Sequence, residues 1–165
     1  MINYHLAPDL ANNVNVSELT DLGYVLVYNF TYIHNTTTEE ILQIRAQCNS
    51  STLMCVGGSD PNADDVLQVV ACSDCLSITT QTKLDQPLYS NSVYWYFTPG
   101  YSFGFAPNSL IIQSLADTHE QNSNQRLSWH LTGVNGGWRL GNEDFLNNDT
   151  LHTKKVFLKY SSKHI

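Results

Sequence analysis

The stretch Val93–Pro107 reads VYWYFTPGYSFGFAP, and seven of its fifteen residues are aromatic: Tyr94, Trp95, Tyr96, Phe97, Tyr101, Phe103 and Phe105. Ahead of the Thr98-Pro99-Gly100 break, Val93, Trp95 and Phe97 alternate with Tyr94, Tyr96 and Thr98; beyond it, Phe103 and Phe105 keep the period of two. Successive side chains of a strand point to opposite faces, and a Pro-Gly break between two alternating runs signals a hairpin. The segment is therefore expected to form a β-hairpin with rings on both faces. Aromatic side chains with polar tips either fill a sandwich core or present a binding surface. The sequence leaves that choice open.

The same period recurs on either side. From Gly23 to Tyr32, the residues Tyr24, Leu26, Tyr28, Phe30 and Tyr32 form a wholly apolar or aromatic face, expected to be buried. Further strands are expected at Leu53–Val56, Val66–Ala71, Leu76–Thr79, Ser109–Ser114, Leu127–Leu131, Trp138–Leu140 and Val156–Tyr160. Gly57–Asn62 and Asn135-Gly136-Gly137 read as a loop and a turn. One helix is signalled. Thr37 followed by Glu40 makes a capping box, and Ile41, Ile44 and Cys48 follow at helical spacing. Many short strands with one short α-helix near residues 38–48 predict a mostly β fold, a single β-sandwich or jelly-roll-like domain over residues 21–165. Residues 1–20 are polar and aperiodic, and read as an N-terminal arm or an edge-covering extension.

Only 14% of residues are charged, against roughly 25% in an ordinary domain, and the net charge is −7. Phosphate contacts need a basic face, so nucleic-acid binding is not expected. The apolar stretches are too short for a membrane helix, so neither is membrane insertion. Four of the eight basic residues, Lys154, Lys155, Lys159 and Lys163, lie in the last dozen positions, and ten of the fifteen acids lie at or before Asp85. That asymmetry reads as a solvated basic strand end, or as opposite patches that steer copies together.

Cys48, Cys55, Cys72 and Cys75 fall within 28 residues. A zinc ribbon needs two Cys-x2–4-Cys knuckles, and only Cys72–Cys75 fits. Structural disulfides are the better reading, with three connectivities open. Local pairing, Cys48 with Cys55 and Cys72 with Cys75, is preferred. Five Asn-x-Ser/Thr acceptors, at Asn15, Asn29, Asn35, Asn49 and Asn148, also suit a secreted glycoprotein. Met1-Ile2-Asn3-Tyr4 is not the start of a secretory signal, which leaves a mature secreted chain or a cytosolic protein, and the cysteines favour the first.

Catalytic patterns are weak. Ser128, His130 and Asp117 include the residue types of a hydrolase triad, but there is no Gly-x-Ser-x-Gly and no His-Glu-x-x-His. Asp60-x-Asn62-x-Asp64 starts like a calcium loop, with Asp65 beside it, yet it lacks the glycine and glutamate of an EF-hand. No metal, cofactor or enzymatic activity is expected. Sugar recognition suits the composition better, because an apolar sugar face stacks on rings while polar side chains bond hydroxyls. Tyr94, Tyr96, Trp138 and Arg139 are the candidate ligand-binding residues. The structural alternative for Arg126 and Arg139 is a bond to a carboxylate such as Asp117 or Asp144.

VYWYFTPGYSFGFAP, RLSWHL followed by GGWRLG, and the closing LNNDT…KKVF, with Cys48…Cys55-Val-Gly-Gly and the Cys-x-x-Cys, together resemble a family of uncharacterised secreted domains of aquatic invertebrates. The resemblance spans roughly residues 23–158. It implies secretion and one compact β domain, and no residue role. The expected function is a non-enzymatic extracellular recognition or adhesion module whose partner is a glycan or an extracellular surface. The alternative is a self-assembling structural subunit of a filament or matrix, a homo-oligomer or polymer built by strand addition.

Overall fold

A computed structural model describes residues 8–161. In chain order it contains β1 (Leu10–Asn15), α1 (Val16–Asp21), β2 (Val25–Thr31), α2 (Thr38–Arg45), β3 (Leu53–Ser59), β4 (Val66–Asp74) and α3 (Cys75–Ile78). Then follow β5 (Leu88–Ser90), β6 (Val93–Thr98), β7 (Ser102–Ala106), β8 (Leu127–His130), β9 (Gly137–Leu140) and β10 (Thr153–Lys159). They build two five-stranded antiparallel sheets, ordered β1-β4-β3-β10-β2 and β5-β6-β7-β8-β9. The second is a plain meander. The first closes only when β10 enters between β3 and β2.

The aromatic stretch is the β6–β7 hairpin, and its rings make the core. Trp95 lies opposite Phe105 and Phe97 opposite Phe103, with ring centroids 5.2 and 6.1 Å apart. Such cross-strand pairs add to the free energy of burial itself. Trp129 of β8 packs on Phe103, at 5.6 Å. Met54, Val56, Val156 and Leu158 face them from the first sheet. The two apolar faces thus meet as a sandwich. Tyr32 stitches its edge: its hydroxyl accepts from Trp129 Nε1 at 3.1 Å and donates to the Arg139 carbonyl at 3.1 Å. A Cβ on Gly137 would overlap the Tyr32 ring, so glycine is required there for close approach.

The capping box forms as read. Thr37 Oγ1 accepts from Glu40 N at 3.1 Å, and the Glu40 carboxylate accepts from Thr37 N at 3.0 Å. The helix lays Ile41 and Ile44 on the core and ends at Arg45.

The disulfides correct the expected pairing: they join Cys48 to Cys75 and Cys55 to Cys72. The reason is facial. Cys55 and Cys72 sit opposite each other on β3 and β4 and point away from the sandwich, into a second cluster with Leu19, Tyr24 and Phe157. Cys48 and Cys75 belong to the inner core. Neighbours in sequence therefore lie on opposite sides of one sheet.

Other expectations change too. Leu76–Thr79 is no strand; α3 starts at Cys75, with the Asp74 carboxylate capping Ser77 N at 2.8 Å. Ser109–Ser114 forms no strand, and β3 continues through Gly57 and Gly58. In β2, Tyr24, Tyr28 and Tyr32 are buried but Leu26 and Phe30 are exposed. β2 is an edge strand, and its register against β10 shifts between Val156 and Phe157. Two lysines of the basic end are not solvated either, and Lys163 lies outside the described residues. Lys154 and Lys155 are buried, and Lys155 pairs with Asp64 at 2.8 Å. Of the segment read as an arm, residues 10–15 are β1, paired along β4, and residues 16–21 are α1. Residues 1–7 lie outside the described part.

Candidate functional site

Between β7 and β8 the chain makes a long excursion over the outer face of the second sheet. Loops of this length carry no ladder of their own, so side chains must hold them. Here the anchor is ionic. Arg126 donates to the Asp117 carboxylate (2.8 Å), the Gln121 carbonyl (2.6 Å) and Asn108 Oδ1 (3.0 Å). Arg139 donates to the carbonyls of Asp117 (3.2 Å) and His119 (2.7 Å). Asp117 and Arg126 are fully buried, and Asp117 N donates to Ser128 Oγ at 3.1 Å. Such a set is tolerable only because nearly every donor has a partner. Gln113 adds a bond to Ser102 Oγ at 2.8 Å.

Where this cover ends, a cleft of about 230 Å³ opens. Ser114, Leu115, Ala116 and Thr118 of the cover form one wall. His130, at the end of β8, and Trp138, on β9, supply the sheet side; Asn135 and Asn147 complete the lining. Trp138 owes its position to a register shift. Ser128 pairs with Arg139 and Trp129 with Gly137, so Trp138 is skipped. A bulge of this kind re-aims a side chain. The exposed Phe145 ring packs on Trp138 at 4.6 Å, and the His130 ring lies 6.1 Å from it.

The polar atoms of the cleft are unusual. His130 is 4% exposed, and its ring nitrogens, like Trp138 Nε1 and Asn147 Oδ1, make no well-aligned hydrogen bond, although the Asn147 side chain and the Leu115 backbone lie close enough to the imidazole to act as weak partners. Buried polar groups are normally satisfied, so a cluster of poorly satisfied ones calls for a reason. Burial lowers the His130 pKa from its ordinary value, against the opposing influence of the neighbouring Asn147 side chain and Leu115 backbone. The ring is therefore neutral at neutral pH, with one donor and one acceptor nitrogen. The rim is apolar: Leu115, Val134 and Phe145 are all exposed.

The four sequence candidates part company here. Trp138 lines the cleft. Arg139 is buried in the anchor. Tyr96 is buried, its hydroxyl passing over Gly104 to donate to the Leu127 carbonyl at 3.0 Å. Tyr94 is half-buried against the exposed Tyr89, on another strand pair, with ring centroids 5.1 Å apart. No family model, curated protein or solved structure matches this chain. The Ser128–His130–Asp117 set is not assembled as a triad, since Asp117 and Ser128 serve the anchor. All five glycosylation acceptors are exposed. His130 and Asn147 escaped sequence analysis as ligand residues, because only the outward phase of β8 and the turn at Leu146–Asn148 bring them to Trp138.

Proposed function

We propose that this domain is an extracellular recognition module that takes a sugar residue in the Trp138 cleft. The observation that carries it is a group of polar atoms without well-aligned hydrogen bonds, set around an aromatic wall. A pyranose offers an apolar face for the Trp138 and Phe145 rings. Its hydroxyls, which both donate and accept, match the neutral His130, the Trp138 N–H and the Asn147 carbonyl. Two disulfides and five exposed glycosylation acceptors support an extracellular setting. Among the described residues no helix is long and apolar enough to cross a membrane. A glycan array followed by calorimetry tests the idea. Trp138→Ala should weaken the best ligand at least tenfold while circular dichroism stays native. Binding that survives both Trp138→Ala and His130→Ala would refute the cleft as the sugar site.

A second reading is favoured by β2. This edge strand exposes Val25, Leu26 and Phe30, with Ile33 just beyond, and an open apolar edge is a template for strand addition. Assembly through β2 would make the domain a subunit of a filament. Size-exclusion chromatography with light scattering separates the readings: large assemblies lost on Phe30→Lys favour the second, and a monomer favours the first.

A further inference from the structure

We infer that Asp60, Glu143 and His152 form a binding site for a divalent transition-metal ion of the zinc type. The three come from separate places: the residue after β3, the turn after β9 and the residue before β10. Their donor atoms lie within 4.8 Å of one another. His152 is the key. It is only 9% exposed, and its Nδ1 is 3.0 Å from Asp149 Oδ1. With Nδ1 held by that carboxylate, the ring turns its other nitrogen, Nε2, toward Glu143 and Asp60. The same carboxylate–histidine pairing orients metal-ligating imidazoles.

Nε2 then faces two more carboxylates. Glu143 lies against it as an ion pair, and Asp60 Oδ2 stands 3.7 Å away. Three carboxylates converge on one imidazole, a surplus of negative charge that a cation shared among them would offset. One imidazole nitrogen with two carboxylate oxygens is a zinc-type donor set, whereas calcium and magnesium prefer oxygen alone. Asp60 is free to serve through Oδ2, because its Oδ1 accepts from Asn62 N at 2.8 Å. Asp64, its neighbour in the acidic turn, is taken by Lys155. The site therefore differs from a calcium loop drawn on Asp60–Asp65 alone. Three protein ligands leave the remaining tetrahedral position to water.

The test uses the full chain, stripped with EDTA and titrated with zinc chloride by calorimetry at neutral pH, with calcium and magnesium chloride as comparators. One zinc per chain is expected, with a rise in melting temperature and no competition from a hundredfold excess of calcium. His152→Asn and Asp60→Asn should each weaken binding at least tenfold. Asp60→Asn leaves the His152–Asp149 contact in place and lies outside the Trp138 cleft, so it separates loss of metal from misfolding and from loss of sugar binding. Three results would overturn the site: no stoichiometric uptake, which would make His152 an imidazolium held by its carboxylates; uptake unchanged in both variants, which would place the metal elsewhere; or calcium binding as well as zinc.

Discussion

Lys154 enters the sandwich with its charge. Its Nζ donates to the His34 carbonyl (2.8 Å), Thr36 Oγ1 (2.7 Å) and the Gly136 carbonyl (2.7 Å), and lies over the rings of Tyr32 and Trp129. Three acceptors match the three protons of an ammonium. Burial nevertheless pulls the pKa from 10.5 down to about 7, with the Glu40 charge acting the other way. The folded value lies below the unfolded one. The stabilisation from this group is thus complete above the unfolded pKa and is lost as pH falls through about 7. Stability should fall as pH drops from about 9 to about 7, by at most about 1.4 kcal/mol per pH unit from this residue. Denaturant titrations across that range check the slope, and Lys154→Met should flatten it. His130 has the same sign at lower pH. If the cleft takes a sugar as proposed, its affinity should hold through neutral pH and decline below the ordinary imidazole range, about 6.5; calorimetry against pH reads that decline. Neither effect was visible in the sequence. Lys154 stood among lysines that read as solvated, and only β10's central place reveals where it points.

Elements divide sharply in how readable they were. The β6–β7 hairpin, β8 and the α2 cap followed from period and local chemistry, because local rules govern them. The cysteine pairing did not, since it depends on which face of the first sheet each sulfur occupies. Proteolytic peptide mapping without reductant should yield peptides joining Cys48 to Cys75 and Cys55 to Cys72; a Cys72–Cys75 product would contradict the fold. The outer cover was missed for a related reason. Its anchor, a bond of Arg126 and Arg139 to Asp117, was among the expectations and is found, but Ser109–Ser114 showed only its apolar composition and so read as a strand. Asp117→Asn leaves Arg126 buried without its counter-charge. A loss of about 3–5 kcal/mol is expected, together with faster protease cutting within residues 107–125. Trp138, singled out in the sequence as a candidate ring, does line a cleft, but that cleft needs partners from three other segments.

At the scale of the whole molecule, one domain carries three separable surfaces: the cleft, the carboxylate–histidine cluster and the β2 edge. Asn29 is exposed on that edge. A glycan there would shield the strand from pairing, so enzymatic removal of N-glycans should raise the assembly state seen by light scattering if β2 is the docking edge, and Phe30→Lys should reverse the gain. The strand order has a further consequence, in time rather than in space. Both disulfides close within residues 48–75, around the β3–β4 hairpin, whereas β2 and β3 wait for β10 to come between them. As the chain is made from its N-terminus, the hairpin can oxidise while most of the second sheet is still unmade. β10 is the last strand of the first sheet to be made. A chain halted before Thr153 should therefore acquire its cross-links and still expose apolar surface to a chaperone, which makes completion of β10 the step that commits the protein to its fold.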